Sequence, residues 1–418
     1  MFRFFMTTAL VFALCGAALG QDEASSPTPE ELQQQLDKLK HQLEEVKVTA
    51  TRLREDREAT PILDALRSVE VYGSVTGSYT WNLADPSQRR GANELRLSDA
   101  DHNTFGIPFA KLGLARRISG LNELDAGFGL EIVAGSMVQD AFQDDGVFYN
   151  SAINVPQAYV DLQIPTALNA LRMRVGRSYL PFGVEDVDPS TNPHFSLSYS
   201  KQFMPRTATG LSLGMDLGGG LSYTQWVVNG WDKVVDNNDS KTFAGQFAWK
   251  LDGADALFTL NWIAGAERDD NNSDKRWALE LGMQWRPSED LDLRASVLYG
   301  QETIAGSYPD EGDETAKFGG FTLMGKKSFF LVEGEDYHRL ALALRGSYFR
   351  DQGGSRTGLD QALGEVTATV EFRPMRDAAL RVEYRRDFSS RSDAFRGHGG
   401  DLNRDAQDTV SLSLSYAF

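Results

Sequence analysis

The stretch Thr409-Val410-Ser411-Leu412-Ser413-Leu414-Ser415-Tyr416-Ala417-Phe418 alternates strictly. Val410, Leu412, Leu414, Tyr416 and Phe418 fall on one face, and Thr409, Ser411, Ser413 and Ser415 on the other. Successive side chains of a β-strand point to opposite sides, so the stretch reads as a strand with one apolar and one polar face. The same period runs back through the chain. Val69, Val71, Gly73, Val75, Gly77, Tyr79 and Trp81 alternate with Glu70, Tyr72, Ser74, Thr76, Ser78 and Thr80. Ala158, Val160, Leu162 and Ile164 oppose Gln157, Tyr159, Asp161 and Gln163. Leu171, Met173 and Val175 oppose Arg172 and Arg174, and Leu380, Val382 and Tyr384 oppose Arg381, Glu383 and Arg385.

The connections alternate in length. Short turns are expected near Ser119-Gly120, Pro165, Gly218-Gly219-Gly220, Asp252-Gly253, Pro287-Ser288 and Pro374-Met375. Longer polar loops fall at roughly 84–102, 138–153, 181–206, 230–240, 266–274, 303–314, 351–361 and 389–405. Eight long loops make eight hairpins, hence about 16 strands. Residues 315–340 fit this rhythm least well and read as an additional strand pair or a bulged one.

Composition narrows the class. The 418 residues carry 42 Lys+Arg against 59 Asp+Glu, a formal net charge of -17. Nucleic acid is excluded as a partner, because phosphate binding needs a basic face. Charged residues are 24%, too few for a disordered polyelectrolyte. The 39 glycines suit many short strands joined by turns. No apolar run of about 18 residues follows residue 20, which argues against membrane-spanning helices. A transmembrane β-barrel needs only alternate residues to be apolar and stays open.

The first residues predict export. Met1 and Arg3 give a positive start, Phe4 to Leu19 an apolar region, and Ala18-Leu19-Gly20 a small-x-small cleavage site before Gln21, so residues 1–20 read as a signal peptide. A membrane-anchored start is the alternative. Cys15 is the only cysteine, and cleavage after Gly20 removes it, excluding disulfides, thiolate metal sites and cysteine nucleophiles. Residues 21–29 read as a linker. Thr28-Pro29-Glu30-Glu31 then has the form of a helix start. Leu32, Leu36, Leu39, Leu43, Val46, Ala50 and Leu53 follow at spacings of 4,3,4,3,4,3. That is an a/d seam, and it predicts a periplasmic coiled-coil helix over 30–58, plausibly trimeric. A helix folded on its own domain would show the same stripe.

A soluble β-sandwich also alternates. Three features favour a membrane barrel over 69–418. The long-loop and short-turn rhythm is that of an up-and-down barrel. The polar faces carry opposite charges, such as Arg172 and Arg174 with Asp161 or Arg381 with Glu383, which suits a water-filled lumen. Tyr416 and Phe418 end the last strand in the manner of the signal read by the bacterial barrel assembly machinery. The expected fold is therefore all-β: a transmembrane antiparallel up-and-down β-barrel preceded by a helix. Closure removes the sheet edges that lipid could not satisfy, and at this strand count side chains leave a channel.

Two stretches carry a family resemblance. Gly176-Arg177-Ser178-Tyr179-Leu180-Pro181-Phe182-Gly183-Val184-Glu185, continued by Asn192-Pro193-His194-Phe195-Ser196, Pro205 and Thr209-Gly210, resembles the OmpL-like group of outer-membrane β-barrel porins. Val227-Val228-Asn229-Gly230-Trp231-Asp232 with Asp236-Asn237-Asn238 is similar to that group's next loop. The likeness covers roughly 70–418. The phosphate-selective porin group shares the Pro-Phe-Gly stretch and often has an N-terminal coiled coil. Neither group brings a catalytic site.

The candidate site residues follow from parity and loop length. Glu131, Asp161, Arg172, Arg174, Glu280, Arg294, Arg345, Glu371, Arg381, Glu383 and Arg385 fall on polar faces, as pore-lining charge or as mutually neutralising structural pairs. The 181–206 loop is the longest at 26 residues, and porins of this size often fold one such loop inward. Its Glu185, Asp186 and Asp188 would then oppose Arg172 and Arg174 across a constriction, giving a transverse field that orients polar solutes. A surface loop covering a subunit contact is the other reading. Asp236, Asp239, Asp269, Asp270, Asp274, Asp310, Glu311, Asp313 and Glu314 crowd other long loops, as plain solvated loops or as a divalent-cation bridge to lipopolysaccharide. His41, His102, His194, His338 and His398 form no zinc pattern, and no metal or cofactor is expected.

The expected function is passive diffusion of small polar or charged solutes through an outer-membrane porin, without enzymatic activity. The expected partners are outer-membrane lipid, lipopolysaccharide and two further copies of the chain. A solute-selective anion or phosphate porin, a barrel-embedded lipid hydrolase and a cell-wall-tethering barrel are the alternatives.

Overall fold

A computed structural model of the chain describes residues 33, 34, 37, 38, 40, 41, 43–45, 47, 48, 68–142, 151–304, 314–332 and 337–418. The chain divides into two compact units, Met1–Ser68 and Val69–Phe418. In the first, the described residues are helical and exposed, Leu43 among them, and Lys47 pairs with Glu44 at 2.9 Å. The other seam positions, Leu32, Leu36, Leu39, Val46, Ala50 and Leu53, lie outside the described residues, as do residues 1–20 and 21–29.

The second unit is a closed antiparallel barrel of 16 strands. In chain order they are β1 (Glu70–Asn82), β2 (Thr104–Arg116), β3 (Asp125–Ala134), β4 (Ile153–Ile164), β5 (Leu171–Tyr179), β6 (Thr207–Gly218), β7 (Leu221–Val228) and β8 (Thr242–Leu251). Then follow β9 (Ala256–Ala266), β10 (Lys275–Ser288), β11 (Leu291–Ile304), β12 (Glu314–Phe330), β13 (Arg339–Gln352), β14 (Gln361–Met375) and β15 (Ala378–Ser389). A two-stranded hairpin, β16 (Phe395–Arg396) and β17 (Leu402–Arg404), decorates the last long loop before β18 (Ala406–Ala417) closes the barrel against β1. Each strand otherwise pairs with its sequence neighbours, the topology that leaves no free edge. Among the described residues of 315–340 there is neither an extra strand pair nor a bulged one. They belong to the 17-residue β12 and to the start of β13.

The alternation sorts the two faces. On β15, Leu380, Val382, Tyr384 and Phe388 are exposed, while Arg381, Glu383, Arg385 and Asp387 are buried. On β18, Val410, Leu412, Leu414 and Tyr416 face out and Thr409, Ser411, Ser413 and Ser415 face in. An outer surface this apolar is stable only against hydrocarbon.

The lumen is not an empty cylinder. An apolar cluster inside it joins Val228, Ala244, Ile263, Ala278, Leu298, Phe318, Phe349 and Leu363 on β7 to β14 with Leu180, Phe182, Tyr199 and Met204 of the 181–206 segment. A second joins Phe109 and Val133 to Met137, Val138 and Ala141 of the short helix α1 (Ser136–Ala141), and to Val187 and Leu197. Parity of polar residues could not show these positions, because an apolar residue at an inward site looks like a break in the pattern.

Candidate permeation site

The segment 181–206 lies inside the barrel and is held by side chains from strands on one side of it. Pro181, Gly183, Pro189, Pro193 and Pro205 keep it from forming a strand, and only the short helix α2 (Tyr199–Gln202) and one turn of 3-10 helix interrupt it. Gly183 has φ +85, and its N–H points at both carboxylate oxygens of Glu280 on β10, at 3.0 and 2.8 Å. Asn261 of β9 donates to the Pro181 carbonyl at 2.8 Å and to Glu280 at 3.1 Å. Arg294 of β11 donates to the Val184 carbonyl at 3.1 Å. Arg381 of β15 reaches the carbonyls of Pro189, Ser190 and Asn192, at 3.3, 3.4 and 3.0 Å. Arg385 donates to the Leu197 carbonyl at 2.6 Å, and Glu383 accepts from the N–H groups of Phe195 and Ser196 at 2.7 and 3.1 Å. The segment has few backbone hydrogen bonds of its own, so the wall supplies them.

Its carboxylates meet other partners than Arg172 and Arg174. Glu185 pairs at 2.8 Å with Arg345 of β13, which also holds Glu365 at 2.7 Å and the Ser196 carbonyl at 2.6 Å. Asp188 pairs at 2.7 Å with Lys111 of β2 and accepts from Ser74 of β1 at 2.7 Å. Burial alone would raise the Asp188 carboxyl, but the Lys111 ammonium and the hydrogen bonds from Lys111, Ser74 and Ser190 bring it below the ordinary carboxylate range. Asp186 is spent within the loop, accepting from the Asp188 N–H at 3.1 Å. None of the three carboxylates pairs with Arg172 or Arg174 among the described residues. Glu185 and Asp188 each meet a cation of the wall.

A closed barrel with an inward segment built on Pro-Phe-Gly and Asn-Pro-His-Phe-Ser invites comparison with known families. Residues 68–418 match the family described as "Putative beta-barrel porin-2, OmpL-like". The chain belongs to this porin family. No curated protein sequence matches it. Among solved structures, the porin is similar to an anion-selective porin from Comamonas acidovorans, with TM-score 0.54 and 14% identity over 84% of this chain and 99% of that one. It is similar to the outer membrane channel DcaP of Acinetobacter baumannii, with TM-score 0.54 and 13% identity over 84% and 97%. Salmonella typhi OmpF, in complex with daunomycin, gives TM-score 0.52 and 15% identity over 84% and 97%. At such identities the likeness concerns the fold. The porin's place is the bacterial outer membrane, and its activity is passive diffusion of small solutes through the barrel.

The remaining expected charges of the porin divide sharply. Glu131 of β3 is buried and accepts from Tyr72, Tyr179 and Gln157, at 3.2, 2.5 and 3.1 Å. Arg381 pairs with Glu371 at 2.8 Å and Arg385 with Asp387 at 2.8 Å, all of them sealed beneath the loop. Arg345, Arg381 and Arg385 thus anchor the loop and do not border open water. Arg174 is held by Asp161 through two bonds of 2.7 and 2.9 Å and lies 3.5 Å over the Tyr159 ring. Arg172 alone of the pair is exposed. It borders a cavity of about 460 Å³ with Gln163, Ser212 and Thr224, near the short-turn end. The acidic loops are partly engaged as well, with Asp236 on Lys241 and Asp274 on Arg268, while Asp310, Glu311 and Asp313 lie outside the described residues.

Several residues that matter here escaped the sequence reading. Lys111 sits between Ala110 and Leu112 and was open to parity, had 104–116 been read as a strand. Ser74, Asn261, Thr369 and Glu365 occupy inward positions but are of ordinary type, and nothing in their neighbourhoods marks them as loop anchors.

Proposed function

We propose that the porin is an anion-preferring passive channel for small polar solutes, its passage running between the 181–206 loop and the wall from β4 to β6. The loop's polar anchors come from β1, β2, β9 to β11 and β13 to β15, and its apolar clusters reach β3, β7 and β8, which leaves β4 to β6 as the free side. One observation carries the preference. The loop carboxylates Glu185 and Asp188 are paired with cations, whereas Arg172 stands in the 460 Å³ cavity with no ion pair among the described residues. The reversal potential in a salt gradient across a planar bilayer tests this: anion selectivity is expected, and cation selectivity overturns the reading.

Homotrimeric assembly, lipopolysaccharide at the outer leaflet, the assembly machinery acting on β18 and a periplasmic coiled coil over 30–58 complete the proposal. They rest on porin membership, the exposed apolar belt and the a/d spacing. A lipid hydrolase is disfavoured, because the buried His102 ring is engaged on both nitrogens, by the Asn82 N–H at 3.0 Å and by Asp85 at 3.1 Å.

A further inference from the structure

The long-loop end of the barrel holds a further cluster, where the 181–206 loop returns to the wall. Trp231 lies on the 229–241 loop, and two guanidinium groups stand over its ring. Arg276 of β10 is 4.9 Å and Arg356 of the 353–360 loop is 5.1 Å from the ring centre. Arg206, the residue before β6, donates to the Ala141 carbonyl at 3.0 Å and also to that of Gln202. Arg356 donates to the Phe203 carbonyl at 3.2 and 3.1 Å. These four side chains border a cavity of about 650 Å³ together with Ser355.

Hydrogen-bonding capacity there is lopsided. Arg206 Nε, Arg276 Nε, Trp231 Nε1 and Ser355 Oγ are buried without a hydrogen-bond partner among the described residues. Four carboxylates, Asp140, Asp232, Glu267 and Asp269, border the same cavity, and three of them accept hydrogen bonds. Asp232 accepts from the N–H groups of Arg206 and Thr207, both at 2.8 Å. Glu267 accepts from the Trp231 N–H at 2.8 Å and from Thr242 at 2.6 Å. Glu302 pairs with Arg276 through one oxygen, and its other oxygen, which accepts no hydrogen bond, lies 3.9 Å from Arg356. Among the described residues, three N–H donors and one hydroxyl against one open acceptor is an unusual balance for buried groups, since buried polar atoms in folded proteins are nearly always paired. Burial, followed by the neighbouring Arg276, brings the Arg356 guanidinium down to about 10, the mark of a cation that lacks full compensation. Oxygen acceptors carrying negative charge would pair with the N–H donors and the Ser355 hydroxyl.

We propose that this cluster is a binding site for a small oxyanion, a carboxylate or phosphate, at the outer end of the passage. The proposal deepens the anion-preferring reading: the site would concentrate anions that Arg172 then meets near the far end. Arginine at a site with several converging donors suits planar and tetrahedral oxyanions alike, through paired N–H bonds.

Single-channel recording in a chloride background tests the site, with inorganic phosphate or malonate titrated into the chamber facing the long loops. A saturating reduction of chloride current is expected for at least one of the two anions. Arg276→Gln should weaken that block at least tenfold. Ser355→Asp should abolish its saturation, because it places a carboxylate in the site while leaving the Arg356 hold on Phe203 intact, and it decides the matter if Arg276→Gln fails to fold. Arg172→Ser should shift the reversal potential and leave the block unchanged. Linear current changes without saturation for both anions, or equal block in wild type and Ser355→Asp, overturn the site even if the channel is anion-selective. A saturating block in a cation-selective channel would instead sink the selectivity reading and leave the site standing.

Discussion

Phe418 and Gly73 exchange both of their backbone hydrogen bonds, at 2.9 and 3.0 Å, and the Phe418 ring covers the place where a side chain at position 73 would stand. A Cβ there would lie 2.8 Å from the ring's outer carbon. This pair is the end of the β1–β18 seam, which continues from Ser74 opposite Ala417 to Asn82 opposite Thr409. Unpaired backbone groups at a seam in lipid have no water to turn to. Deleting Phe418, or Gly73→Val, should lower the yield of heat-modifiable barrel in membranes. Unchanged yield in both variants would remove the seam from the assembly argument.

The Arg345 contacts predict a loop that can be loosened without losing the barrel. Arg345→Met leaves Glu185 buried without its cation and Glu365 with only Arg385 at 3.8 Å, a loss of about 3–5 kcal/mol for a broken buried pair. The thermal midpoint should fall, and single-channel conductance should rise as the 181–206 segment leaves the wall. Conductance and midpoint both at wild-type values would show that the segment is held elsewhere.

Arg172 and Arg174 should now behave differently, although they sit two residues apart on one face. Arg172→Ser removes an exposed charge beside the passage and should shift selectivity toward cations, a reversal-potential change of several millivolts. The shift should shrink at molar salt, where the screening length falls to about 3 Å. Arg174→Ser strands Asp161 and should act mainly on stability. Equal selectivity shifts from the two variants would contradict this division.

His194 predicts the direction of acid sensitivity. Its ring is buried, accepts or donates at 2.8 Å to Thr369, and is brought down to about 3 by burial and then by Arg345, with Arg381 acting the same way and Glu383, 3.9 Å away, opposing. The neutral ring is the one that fits. Its contribution is therefore complete above the ordinary histidine range near 6.5 and is lost as pH falls toward 3. Loop-dependent conductance should be flat from pH 7 to 8 and begin to change below about pH 6. His194→Gln should flatten the part of the profile between pH 6 and 4. A profile identical in both proteins would assign the acid response to other groups.

Which face of each strand meets lipid, and how many strands there are, was legible in the residues alone. Val382 and Arg381 are distinguished by a period of two that needs no knowledge of the rest of the chain, and the eight long loops count the hairpins directly. The 315–340 segment resisted this reading because inward Ala316, Phe318 and Met324 interrupt the alternation. Those same residues belong to a lumen that the loop partly fills, so the irregularity came from tertiary packing.

The sequence by itself determined a barrel, its inward charges and a long loop rich in proline and acid, because strand parity and turn chemistry are local properties. Only the tertiary structure decided which charge meets which. Glu185 finds Arg345 across 160 positions, Asp188 finds Ser74 across 114 and the Phe195 N–H finds Glu383 across 188. Such pairs depend on barrel closure and on the height at which each strand places its side chains. A Coulomb interaction or a hydrogen bond of a few ångströms is fixed by those distances in space, on which spacing along the chain is silent.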